Sequence, residues 1–113
     1  MEEVRITATV GRVLRTFLDD VSAPRYGFEL MQRTGLASGT LYPILARLEA
    51  AGWLTSHLED IDPTIERRPA RRFYRINRAA AAVAQDELTE LSKQLQPPSA
   101  QGSVGLRPQG GLA

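Results

Sequence analysis

The sequence predicts a mainly α-helical fold with a small β-hairpin and one further helix at its end. Three observations predict it. Apolar residues recur at helical spacing through the first half of the chain, two short alternating stretches flank a turn-rich interval, and an Ala- and Leu-bearing segment then returns to helical spacing.

The first element is carried by Ile6, Val10, Val13, Leu14, Phe17, Leu18 and Val21, one stripe of an amphipathic helix from about Arg5 to Asp20. A second helix is expected from about Pro24 to Thr34, with Ser22 and Pro24 as start signals and Gly35 as the C-terminal cap. After "GLA", Ser38 or Thr40 can cap a third helix whose Leu41, Ile44, Leu45 and Leu48 form its apolar stripe, and Gly52 ends it. If Thr40 is the cap, Pro43 falls in the first turn, where its missing N–H costs no intrahelical bond.

Beyond Gly52 the period changes to two. "WLTSHLED" and "RRFYRIN" read as strands around a loop centred on Asp62-Pro63 and Pro69, with Leu54 and Leu58 paired on one face and Tyr74 and Ile76 on another, both pairs expected to be buried. Asn77 is a natural N-cap for a last helix that reaches about Gln96, where Pro97-Pro98 stops it. The remainder is rich in Pro, Gly, Ser and Gln and is expected to be a disordered tail. The order helix, helix, helix, strand, loop, strand is that of a winged helix-turn-helix. The expected organisation is therefore a winged helix-turn-helix DNA-binding domain over residues 1–77, one C-terminal dimerisation helix over 78–96 and a tail over 97–113.

Composition narrows the function classes. A chain of 113 residues, 42% hydrophobic and 24% charged, has the composition of one globular unit. No apolar run approaches the roughly 20 residues that span a bilayer, and "MEEVRITATV" lacks a basic leader, so a cytoplasmic protein without a membrane partner is expected. Without cysteine there are no disulfides or thiolate metal sites. The single histidine, His57, has no nucleophile motif, phosphate loop or metal-ligand spacing beside it, so no catalytic residue, metal or cofactor is expected. The acidic cluster Glu59, Asp60, Asp62 and Glu66 lacks a calcium-loop pattern and reads as a solvated loop.

The net charge of +1 conceals six arginines in "RRPARRFYRINR", and thirteen of the fourteen basic residues are arginine. Its planar fork of donors suits phosphates and guanine edges, although a compositional bias toward arginine would look the same. In the third helix Ser38, Gly39 and Thr40 would let the backbone approach a phosphate closely. Thr40, Pro43 and Arg47 follow i, i+3, i+7 on the face away from Leu41, Leu45 and Leu48, and are the candidates for reading base edges. Tyr42 is expected to donate its phenol to a phosphate, while Arg67, Arg68, Arg71 and Arg72 would hold the flanking backbone. The expected partner is double-stranded DNA. The same fold can instead serve as a protein-interaction module without specific DNA binding.

Three segments carry a family resemblance: "RYGFELMQRTG", "SGTLYPILARLEAAGWL" and "RPARRFYRIN". They resemble the PadR family of bacterial transcriptional regulators, in its small form with a single C-terminal helix. The resemblance covers roughly Val10 to Asn77 and places Tyr26, of the Tyr-Gly pair, among the residues expected to contact DNA. It implies a homodimeric repressor that sits on an inverted repeat and is released by a small, often aromatic, effector. In some small members a tryptophan on the last helix stacks on the ligand; here the only tryptophan, Trp53, opens the first strand, and no ligand site is carried over.

In the last helix Ala84, Leu88, Leu91 and Leu95 are spaced 4, 3 and 4, the seam of a short coiled coil. The stripe could also fold back on its own core. Because the first three helices already fill that core, the stripe is read as a dimer seam.

Overall fold

The computed structural model describes residues 1–96; the expected tail lies outside them. In chain order the elements are α1 (Ala8–Leu18), β1 (Arg25–Tyr26), α2 (Gly27–Thr34), α3 (Ser38–Ala50), β2 (Leu54–Leu58), α4 (Pro63–Glu66), β3 (Arg72–Ile76) and α5 (Arg78–Leu95). The strands form one antiparallel sheet in the order β1-β3-β2. This is a winged helix-turn-helix, mainly helical with a small sheet, as the order of patterns predicts.

The core is where the apolar stripes of α1, α2 and α3 converge. Val13, Leu14, Phe17, Leu30, Leu41, Leu45 and Leu48 are fully buried, each contributing roughly 1.5–3 kcal/mol of transfer free energy. Trp53, Leu54, Tyr74 and Ile76 close it from the sheet side.

Four local expectations are corrected. First, α1 begins at Ala8 rather than Arg5, because the Thr7 hydroxyl accepts from the Val10 N–H at 3.2 Å and caps it there. Residues before Thr7 run as an arm along the core, with the Trp53 indole donating to the Glu2 carbonyl at 2.6 Å.

Second, the segment read as the start of α2 is a strand: Arg25 and Tyr26 pair with Tyr74 and Phe73 of β3, and α2 starts only at Gly27. β3 offers Arg25 and Tyr26 ladder bonds that a helical turn would forgo. Gly35 does cap α2 in the left-handed conformation, φ 74°.

Third, α3 begins at Ser38 with Ala37 as its cap, so neither Ser38 nor Thr40 caps it and Pro43 is the sixth helical residue. The proline therefore does remove an intrahelical bond, the one that would reach the Gly39 carbonyl. Gly39 is exposed, so water can satisfy that carbonyl.

Fourth, Leu54 is buried but Leu58 is 57% exposed, because Leu58 pairs with Arg72 at the far end of the hairpin, past the reach of the helices. The loop beyond it contains α4, whose Asp62 cap accepts from the Thr64 N–H at 2.9 Å.

Asn77 behaves as the sequence predicts. Its side chain accepts from the Ala80 N–H at 2.7 Å and starts α5. It also donates to the Gly52 carbonyl, tying the start of α5 to the end of α3. No helix among the described residues is long and apolar enough to cross a membrane.

Candidate nucleic-acid interface

The exposed side of α3 carries Ser38, Gly39, Thr40, Tyr42, Pro43 and Arg47, all on the surface, while Leu41, Ile44, Leu45 and Leu48 face the core. An amphipathic helix divides its residues in this way. What stands out is how little the outer side of the first turn is used by the chain itself. A Cβ built on Gly39 meets no atom within 4 Å. A glycine inside a helix costs roughly 0.5–1 kcal/mol relative to alanine, and no internal contact offsets that cost. Arg47 makes no ion pair or side-chain hydrogen bond among the described residues.

Tyr42 is held from below. A Cβ on Gly27 would lie 1.9 Å from the Tyr42 phenol oxygen, so the glycine that opens α2 leaves the space the ring occupies. Two of the three segments that carry the family resemblance thus meet at one point. A shallow cleft of about 250 Å³ runs beside it, lined by Tyr26, Phe28, Tyr42, Ala70, Arg71 and Arg72, and joins α3 to the hairpin.

The hairpin, hereafter the wing, orients its cations individually. Arg72 donates to the Ser56 hydroxyl at 3.1 Å, and Ser56 donates to Glu49 of α3 at 2.6 Å, a relay from β3 through β2 to α3. Arg71 lies over the Tyr26 ring, 4.9 Å from its centroid. Tyr26 meets Phe73 edge-on at 5.5 Å, and His57 stacks on Phe73 at 5.6 Å, so one aromatic rung crosses all three strands in register. Sequence reasoning missed this rung because a two-residue strand is too short to show a period.

Arg67 and Arg68 part company. Arg67 is exposed and is the one non-glycine among the described residues with positive φ, 59°, where it ends α4. Arg68 is turned inward: its guanidinium grips Glu59 with two bonds of 2.7 and 3.0 Å. Both of its terminal nitrogens are engaged within the wing, which leaves Arg68 less available than its three neighbours to hold a DNA backbone. Of the acidic cluster, Asp60, Asp62 and Glu66 are exposed as expected, and only Glu59 is half-buried. Bonded to Arg68, the Glu59 carboxyl is pulled down to about 2. The link therefore stands above the ordinary carboxylate range near 4.5 and is lost only as pH falls toward 2.

The family model for the transcriptional regulator PadR-like family matches residues 17–86. The chain belongs to the PadR-like family. Among solved structures, the smu.1704 protein of Streptococcus mutans UA159 is similar to this PadR-like chain at 23% identity and TM-score 0.61, covering 94% of this chain and 96% of that one. A PadR-like transcription factor from Bacteroides fragilis is 19% identical over 79% of this chain and 91% of its own, TM-score 0.56. BpsR of Bordetella bronchiseptica, described by the regulation of its DNA binding by 6-hydroxynicotinic acid, is 14% identical over 92% and 77%, TM-score 0.56. No curated protein matches the chain significantly. The PadR-like assignment makes the protein a DNA-binding regulator of transcription and not an enzyme.

The remaining candidates lie on α5 of this PadR-like chain. Ala84 is removed from the proposed seam, because it has no exposed surface and is packed into the chain's own core with Ala80 and Ala81. Leu88 packs against Gly11 of α1, where an added Cβ would lie 2.9 Å from its Cδ2. Leu91 is half-buried and Leu95 is 70% exposed. With Ala8, Gly11, Arg12 and Arg15 these three leucines line an open groove of about 450 Å³ between α1 and α5.

Proposed function

We propose that the protein is a homodimeric, effector-responsive repressor that binds an inverted-repeat operator in the cytoplasm. Residues 1–77 act as the DNA-binding domain, and residues 78–96 supply the dimerisation helix. The observation that carries the DNA contact is the unused first turn of α3: exposed small residues and free backbone N–H groups at a helix start, a geometry that welcomes phosphate. Thr40, Pro43 and Arg47 then read base edges, with Ser38, Gly39 and Tyr42 at the backbone. Arg67, Arg71 and Arg72 hold the flanking phosphates, and Tyr26 acts through Arg71, which rests on its ring.

The groove between α1 and α5 supports the dimer. Leu88, Leu91 and Leu95 form a continuous apolar strip that the chain leaves partly uncovered, and a second copy of the same strip is its natural cover in a two-fold pair. Two α3 helices related in this way reach successive major grooves when they lie about 34 Å apart, one helical turn. Release by a small effector is supported by the likeness to BpsR, whose DNA binding 6-hydroxynicotinic acid regulates.

Selection of bound fragments from a genomic pool, followed by footprinting, tests the proposal. A dyad-symmetric footprint with half-site centres about 10 base pairs apart, or a whole-turn multiple, is expected. Direct repeats or protection of a lone half-site would refute the symmetric geometry, and no enrichment at moderate salt would refute specific DNA binding.

A further inference from the structure

Glu59 is an odd residue to find on a surface meant for phosphate. Its carboxylate is only 19% exposed and makes three bonds: two to the Arg68 guanidinium, and one, at 3.2 Å, from the Arg71 N–H. The Glu59 N–H in turn donates to the Arg71 carbonyl at 2.7 Å. Residues 59 and 71 therefore close the loop between them, residues 60–70, from both sides. Arg68 secures the interior of the loop as well, its backbone N–H donating to the Pro63 carbonyl at 3.2 Å and its Nη1 to the Pro69 carbonyl at 3.3 Å.

The charges of Glu59 and Arg68 cancel each other, so the pair adds little to the field that draws DNA. Its effect is geometric. Arg71 follows directly from the clasp, Arg72 begins β3 one residue later, and Arg67 sits in a left-handed turn immediately before Arg68. Each of the three outward cations is within a residue of a group that Glu59 fixes.

We propose that Glu59 is a positioning residue for DNA binding: by clasping Arg68 and the Arg71 amide it holds the wing in the shape in which Arg67, Arg71 and Arg72 reach the phosphate backbone. The inference rests on the reading that the wing lies on DNA. It makes a prediction opposite to simple charge counting. Neutralising an acid near phosphate should tighten binding; releasing the clasp leaves a loop that must be ordered at the moment of binding, and so weakens it.

Titration of the full chain with a mixed-sequence duplex of about three helical turns over a salt series tests this, with wild type, Glu59→Gln, Arg68→Gln and the double variant. Glu59→Gln should bind about tenfold more weakly with a shallower salt dependence although it is more positive, and the double variant should be no worse than either single. Amide exchange between residues 60 and 70 of the unbound protein should rise, with the helical core and its melting temperature unchanged. Weaker binding without faster exchange in the loop would overturn the clasp. Unchanged or tighter binding by Glu59→Gln, while Arg71→Ala and Arg72→Ala lose affinity, would overturn it and leave the wing on DNA. If those two arginine variants also bind normally, the wing reading falls and the proposal with it.

Discussion

Gly27 and Tyr42 share one volume: the phenol of Tyr42 fills the place where a Gly27 side chain would stand. Because the clash would fall on the end of a half-exposed side chain, Gly27→Ala should fold and displace the ring rather than unfold the protein. Its DNA affinity should fall about as far as that of Tyr42→Ala, and the double variant should lose little more, the non-additivity of residues that touch. Independent, additive losses in a double-mutant cycle would show that Gly27 serves something other than Tyr42.

Gly39 presents the reverse case, a glycine for which the chain itself has no need. Gly39→Ala should stabilise the folded protein by about 0.5 kcal/mol and weaken DNA binding at the same time. Thermal melting and operator titration together measure both halves. A variant that is more stable and binds as well as wild type would mean that no phosphate approaches the first turn.

Arg67 allows charge to be separated from backbone. At φ 59° the left-handed turn suits glycine, so Arg67→Gly keeps the turn and removes only the cation. Its binding to all sequences should weaken alike, with the salt slope reduced by about 0.9 because one phosphate is no longer neutralised. Arg47→Ala should instead alter which sites are preferred, by about 1–3 kcal/mol at the base it reads. Binding-site selection with each variant distinguishes the two outcomes.

Leu91 lies at the middle of the uncovered strip on α5. Leu91→Asp should give a folded monomer by sedimentation at tens of micromolar, where a wild-type dimer held by about 7 kcal/mol is populated. Unchanged sedimentation of the variant, or a monomeric wild type, would place the partner surface elsewhere or remove it.

Long apolar periods are legible in the sequence and short-range chemistry is not. Stripes such as Val10, Val13, Leu14, Phe17 and Leu41, Ile44, Leu45, Leu48 predict α1 and α3, since each repeats over several turns and is buried as expected. The capping side chain of Asn77 marks the start of α5, and the left-handed Gly35 the end of α2, as expected. β1 is not legible because its strand character comes from pairing with a segment some fifty residues away, Arg25 with Tyr74. Ala84 fits a seam by spacing alone, because a heptad pattern does not say which neighbour covers it. The Glu59–Arg68 grip joins residues nine positions apart across a loop with no period at all, and charge counting reads the acid as solvated and the arginine as a DNA contact.

Tyr26 ends β1 and caps α2, with no residue between the two elements. The aromatic rung through Phe73 and the β1–β3 ladder then weld the helix-turn-helix to the wing, and the Arg72–Ser56–Glu49 relay welds α3 to the same sheet. Under the proposed mode of binding, one copy of the chain would therefore meet DNA as a single die, stamping its groove contact and its flanking contact at a fixed separation. In the proposed two-fold pair, operators that differ in spacing would then have to be accommodated by rotation of one copy against the other or by bending of the duplex.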